Sequence, residues 1–98
     1  MRLMTHRDAV LLHRDAIRDA ASCHKARSIA LVGSVARGDN TPDSDCDFVA
    51  DFLPGASLFD HIDLEEALKE ILGVSVDVIS VDAARRRFPR ILQEAIAI

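Results

Sequence analysis

Cysteine is scarce, two in 98 residues, and Cys23 and Cys46 supply neither a disulfide framework nor the paired spacing of a zinc site. No apolar run approaches the length of a membrane span, and no N-terminal apolar stretch resembles a signal peptide. The cytoplasm is therefore the expected location, with no membrane partner. Positive charge is not in excess either. Twelve lysines and arginines stand against sixteen aspartates and glutamates, a net charge of −4, which argues against duplex nucleic acid as the main partner. Linker-like composition and low-complexity tracts are missing. The His-Arg-Asp-Ala at 6–9 and again at 13–16 is too short to be a structural repeat. What remains is an ordinary soluble composition, 49% hydrophobic and 29% charged, so residues 1–98 are expected to form one domain with a modest core.

Against that plain background one stretch stands out, Leu31 to Phe52. A Gly-Ser turn at Gly33-Ser34 follows the apolar run Ile29-Ala30-Leu31-Val32 and precedes Val35-Ala36-Arg37. A strand is expected to end at Gly33, with a short helix starting there. The free N–H groups of a helix start and the Ser34 hydroxyl favour phosphate. A dozen residues on, Asp45 and Asp47 alternate along an expected strand, so their carboxylates point to one face about 7 Å apart along it. Mg²⁺ takes oxygen ligands and usually binds through one or two carboxylates plus substrate phosphates. Turn and carboxylates together describe a metal–nucleotide site. Cys46, between the two aspartates, must face the other way and reads as core rather than ligand.

The neighbours sort by chemistry and distance. Arg37 is suited either to approaching phosphates or to holding the turn through a salt bridge to Asp39 or Asp43. Asp39 and Asp43 read as loop-shaping residues. Asp51 shares the parity of Asp47 but lies about 13 Å along the strand, too far for direct ligation. His6-Arg7-Asp8 and His13-Arg14-Asp15 read as a solvated helix face.

The rest of the chain reads helix, strand, motif loop, strand, helix, strand, helix. Thr5 is expected to cap one helix running to about Cys23, with Ala9, Leu12, Ala16, Ala20 and Cys23 on its apolar stripe. Pro54-Gly55 makes a turn. Ser57 is suited to cap the next helix, which buries Leu64, Ala67, Leu68, Ile71 and Leu72 and ends at Gly73. From about Ala83 the chain carries Arg85, Arg86, Arg87 and Arg90, then Ile91, Leu92, Ala95, Ile96 and Ile98. Pro89 marks the start of a final helix or a kink.

The run Gly33-Ser34-Val35-Ala36-Arg37-Gly38-Asp39, followed after four residues by Ser44-Asp45-Cys46-Asp47-Phe48-Val49, resembles the signature of the minimal nucleotidyltransferase (MNT) family. That family lies within the polymerase-beta-like nucleotidyltransferase superfamily, which carries a third carboxylate on a later strand. In this chain Val74-Ser75-Val76-Asp77-Val78-Ile79-Ser80 alternates, with Asp77 on the face of Ser75 and Ile79. An aspartate inside a β-branched run is costly unless paired, hydrogen-bonded or metal-bound. Asp77 is therefore the expected third carboxylate.

The resemblance implies an α/β fold, a short mixed β-sheet with helices packed mainly on one face. It implies Asp45 and Asp47 as holders of two Mg²⁺ ions and Asp77 as the base or bridge that readies the acceptor hydroxyl. ATP would be the substrate, with Gly33, Ser34 and Arg37 on its phosphates. MNT proteins are little more than a catalytic core, known as antitoxins that transfer AMP to a tyrosine of a HEPN-domain ribonuclease toxin. This chain has no tyrosine, so a tyrosine acceptor must belong to another protein. The expected activity is thus protein adenylylation of a toxin. The alternatives are an antitoxin that only occludes its toxin, or nucleotidyl transfer to a small molecule or RNA end.

Overall fold

The computed structural model describes residues 4–98. The elements run α1 (His6–Leu12), α2 (Arg14–Cys23), β1 (Ala26–Val32), α3 (Gly33–Arg37), β2 (Cys46–Phe52), α4 (Leu58–Leu72), β3 (Val76–Ser80), α5 (Val81–Arg87), a 3₁₀ helix (Pro89–Glu94) and β4 (Ile96–Ala97). The four strands form one mixed sheet in the order β3-β2-β1-β4. β1 pairs antiparallel with β2 and with β4, while β2 and β3 run parallel.

Thr5 begins α1 as expected: its hydroxyl accepts from the Asp8 N–H at 3.0 Å, and the Asp8 carboxylate accepts from the Thr5 N–H at 3.1 Å. The single long helix expected to follow is broken at His13, whose ψ of 17° caps one helix and opens the next. The buried stripe is Val10, Ile17 and Ala21, one position on from the alanines at 9, 16 and 20. Both sets share the helical spacing, and the branched side chains win because they remove more apolar area from water. Ser57 and Asp60 form the same reciprocal cap on α4, and Gly73 ends it in the left-handed conformation. The Ser57 N–H, 2.8 Å from the Asp60 carboxylate, holds that acid below its ordinary range.

The terminal segment differs most from expectation. Instead of one helix it forms α5, the 3₁₀ helix after Pro89, and a two-residue strand in which Ile96 pairs with Leu31 and Ala97 with Ala30. Two residues carry no readable alternation. The open edge of β1 selects them.

Strand parity divides the molecule cleanly. Ile29 and Leu31 of β1, Cys46, Phe48 and Ala50 of β2, and Val76 and Val78 of β3 are buried against Ile17 and Ala21 of α2 and Leu64 and Leu68 of α4. The opposite face carries a smaller cluster, Val32 and Val49 with Ala84 of α5, flanked by Ile79, Ile91 and Leu92. Helices therefore pack mainly on one face, and the other carries only this smaller cluster.

β3 is an edge strand, and α4 closes it. The outward N–H of Val78 donates to Glu65 Oε2 at 3.1 Å, and its carbonyl accepts from His61 Nε2. The His61 ring stacks on Phe52 with centroids 5.2 Å apart. An edge so capped cannot pair with another chain. Glu65→Ala is expected to lower stability by about 1–3 kcal/mol, because it strands a half-buried donor. Glu66→Ala, which loses only an exposed 3.3 Å pair with Lys69, should cost less than about 0.5 kcal/mol. Urea unfolding of the two variants measures the difference.

Candidate active site

The second face is where the carboxylates gather. Register places Asp47 beside Val32 of β1 on one side and beside Asp77 of β3 on the other. Neighbouring strands lie about 4.8 Å apart, so Asp47 and Asp77 are side by side on one face. Asp45 is exposed and stands just before β2 begins, still close enough to act electrostatically on Asp47. Loss of water pushes the Asp47 carboxyl above its usual range, and the negative charges of Asp77 and then Asp45 push it further, against a smaller opposing pull from Arg37.

None of the three carboxylates makes a side-chain hydrogen bond or ion pair among the described residues. Adjacent acidic side chains left without a protein cation are the donor set of a hard dication, so these residues fit Mg²⁺. Among the described residues, no group of three or more acidic, histidine or cysteine side chains converges tightly enough to hold an ion alone. Such a site needs phosphate oxygens to complete it, as Mg²⁺ sites commonly do.

Gly33 is constrained by Asp47. Its φ is +75°, and a Cβ there would lie 2.7 Å from Asp47 Oδ2. The group pressed against this glycine is the Asp47 carboxylate. α3, which starts at Gly33, has no side-chain cap on its first turn and is only five residues long. Its dipole is correspondingly slight, and what it offers an anion is the first-turn N–H groups and the half-buried Ser34 hydroxyl. The far end of α3 is anchored by Arg7, whose guanidinium donates to the Ala36 carbonyl at 2.8 Å. Ser44 closes the following loop, its Oγ accepting from the Thr41 N–H at 2.9 Å.

Arg37 takes the salt bridge to Asp39, at 3.1 Å, and adds an unanticipated one to Glu94 of the 3₁₀ helix, at 2.9 Å. These two bonds, Asp39 first, raise its pKa. Cys46 is core, its thiol pushed up to about 11 by burial and then by Asp47 and Asp45. Asp51 pairs with Arg27 at 3.4 Å, away from the carboxylate group. The His6-Arg7-Asp8 segment is more than a solvated face: Arg7 ties to α3, Asp8 caps α1, and His6 Nδ1 is buried with no hydrogen-bond partner among the described residues.

An open cleft of about 360 Å³ on this face is lined by Gly33, Asp47 and Asp77 together with Ile79, Phe88 and Ile91. Phe88 and Glu94 carry no sequence signal, while Arg7 reads only as part of a helix face and Ile91 only as part of the terminal apolar run. They belong to no motif, and only the fold brings them near the aspartates.

The family model described as a nucleotidyltransferase domain matches residues 13–97. The chain is 39% identical over 70 residues to the provisionally named protein adenylyltransferase MJ1379 of Methanocaldococcus jannaschii, covering 69% of this chain and 67% of that one. It is 43% identical over 53 residues to the protein adenylyltransferase MntA of Thermococcus cleftensis, covering 54% of each. A solved structure of a provisionally named minimal nucleotidyltransferase superposes with a TM-score of 0.79 at 36% identity, over 94% of this chain and 95% of that one. A toxin–antitoxin crystal structure with AMP-PNP shares the fold, with a TM-score of 0.71 at 19% identity over 85% of this chain and 69% of that one.

Two outcomes follow from the geometry. The raised Asp47 carboxyl favours folding below the ordinary aspartate value of 3.8, and that contribution is lost as pH rises through the raised folded value. At neutral pH Asp47 therefore opposes folding. Asp47→Asn should melt higher than wild type at pH 7, with the difference shrinking toward zero below about pH 3, and Mg²⁺ with nucleotide should raise the wild-type Tm only. Differential scanning calorimetry across pH checks this. Gly33→Ala should lose transfer activity by about 100-fold or more, since displacing a site carboxylate forfeits several kcal/mol of transition-state stabilisation. Gly38→Ala, with φ +82° but open space around its Cβ, should lose only about 1–2 kcal/mol of stability. Steady-state kinetics beside thermal melts separate the two.

Proposed function

Since the chain belongs to the nucleotidyltransferase domain family, we propose that it is a protein adenylyltransferase antitoxin. It transfers AMP from ATP to a tyrosine hydroxyl of a partner HEPN-type ribonuclease toxin in the cytoplasm. The observation that carries this is the row of unpartnered carboxylates at Asp45, Asp47 and Asp77, set against Gly33 at the open end of the sheet. Relatives named protein adenylyltransferases support the chemistry. A fold neighbour solved as a toxin–antitoxin with AMP-PNP is consistent with the setting.

Asp45 and Asp47 would hold the metal, with Asp77 beside them. Bound Mg²⁺, as one or two ions, supplies charge neutralisation for the triphosphate and the leaving pyrophosphate. The first-turn N–H groups of α3 and the Ser34 hydroxyl receive the phosphate tail, and Arg37 adds a positive field from its place between Asp39 and Glu94. The acceptor oxygen attacks the α-phosphorus in line. Its bond to phosphorus forms as the α–β bridging P–O bond breaks, pyrophosphate departs, and the Asp77 carboxylate takes the hydroxyl proton. With no tyrosine in this chain, the acceptor comes from outside.

The alternative reading is occlusion, and the terminal arginines bear on both readings. Arg85, Arg86, Arg87 and Arg90 are exposed and make no ion pair among the described residues. Arginine suits a protein interface, and the same face would serve a steric antitoxin or dock a protein substrate.

The test is intact mass spectrometry of the toxin after incubation with this protein, Mg²⁺ and ATP. The toxin should gain one AMP and stay inactive after separation, and Asp45→Asn should abolish the gain. Full recovery of ribonuclease activity on separation, with no added mass, would leave occlusion as the account. Charge reversal at Arg86 and Arg90 should raise KM for the toxin about 10-fold while nucleotide affinity holds. Initial rates at varied toxin concentration read that effect.

A further inference from the structure

The four aromatic side chains are all phenylalanines, and they occupy different situations. Phe48 is fully buried, Phe52 stacks on His61, and Phe59 lies exposed on α4. Phe88 is 52% exposed yet lines the carboxylate cleft. Its backbone is held on both sides, the N–H donating to the Ala84 carbonyl at 2.8 Å and the carbonyl accepting from the Ile91 N–H at 3.1 Å. The ring is thus open to water on a backbone held by two hydrogen bonds.

We propose that Phe88, together with Ile79 and Ile91, is the shelf on which the nucleobase stacks, selecting purines over pyrimidines by ring area while reading neither purine's edge. The inference rests on the nucleotidyl-transfer reading and names the base-selecting residue of that same site. Phe88, Ile79 and Ile91 line the same cleft as Gly33, Asp47 and Asp77, so a small molecule with its phosphates at the carboxylates has the ring within the same cleft. An acceptor tyrosine, carried by a macromolecule, has the exposed Asp45 rim as its approach.

Lack of edge reading follows from the lining. Ile79, Phe88 and Ile91 have no side-chain donor or acceptor. Nearby main-chain groups are already engaged: Val78 with Glu65 and His61, Phe88 with Ala84 and Ile91, and Ile79 in the ladder to Val49. What the wall offers is a flat apolar face. Stacking on such a face is sequence-tolerant and grows with the area of the base.

Calorimetric binding with Mg²⁺ of the four nucleoside triphosphates and of inorganic tripolyphosphate, on wild type, Phe88→Ala and Phe88→Trp, tests this. Wild type should bind ATP and GTP within about fivefold of each other and both about 10-fold tighter than CTP or UTP. Phe88→Ala should weaken ATP about 10-fold and erase the purine preference, with tripolyphosphate unchanged and Phe88→Trp retaining wild-type affinity. Unchanged ATP affinity in Phe88→Ala overturns the shelf, as does an equal loss for tripolyphosphate, which would mark a structural role. A rise confined to the toxin KM overturns it in favour of an acceptor ring at Phe88. ATP preferred over GTP by 100-fold or so would overturn the absence of edge reading. Wild type that binds tripolyphosphate as tightly as any nucleotide overturns the shelf alone, and wild type that binds none of them overturns the shelf and the nucleotidyl-transfer reading together.

Discussion

Burial of Cys46, Phe48 and Ala50 beneath α2 and α4 forces Asp47 onto the opposite face of β2. Strand geometry allows nothing else, since successive side chains alternate and a slip of one residue would turn the aspartate into the core and Phe48 into water. The parallel partner obeys the same rule. Val76 and Val78 go down into the core, and Asp77 comes up beside Asp47. Core formation and site formation are thus one event, with hydrophobic burial on one face supplying the free energy that holds like charges together on the other.

That arrangement carries a visible penalty, and the surroundings are built to tolerate it. Asp47 is half-buried, its carboxyl raised by lost water and by two negative neighbours. Gly33 leaves it room where any side chain would collide. Arg37 leans a positive field toward it while held by Asp39 and Glu94, so no cation among the described residues neutralises the group directly. Acidic residues kept close but unpaired are poised to take up a dication together with the phosphates it brings. On the second face Val32 and Val49 are covered with Ala84, while Asp47 and Asp77 line an open cleft shared with Ile79, Phe88 and Ile91.

Much of this was legible in the residues, for reasons that differ by element. Asp47 and Asp77 lie on one face because each sits inside an alternating run whose other parity is core, while Asp45, expected on the same strand, lies just before it, and the Gly-Ser turn stands at a strand end. The caps at Thr5 and Ser57 were legible because their chemistry is local. The break at His13 and the pairing of Ile96 with Leu31 were not, since a two-residue strand has no period and tertiary packing chose the Val10 and Ile17 stripe over its alanine rival. Arg7, Phe88 and Glu94 were silent for a related reason. Each reaches the site across a long stretch of chain, and only the finished fold makes them neighbours.

The central claim is that these carboxylates form a metal site completed by nucleotide. Titration of the wild-type protein with Mn²⁺, followed by electron paramagnetic resonance with and without a non-hydrolysable ATP analogue, tests it most directly. The account predicts weak binding to the protein alone and much tighter binding once the analogue is present, with the reciprocal gain in analogue affinity that linkage demands. Tight binding without nucleotide, or no change when the analogue is added, would contradict it.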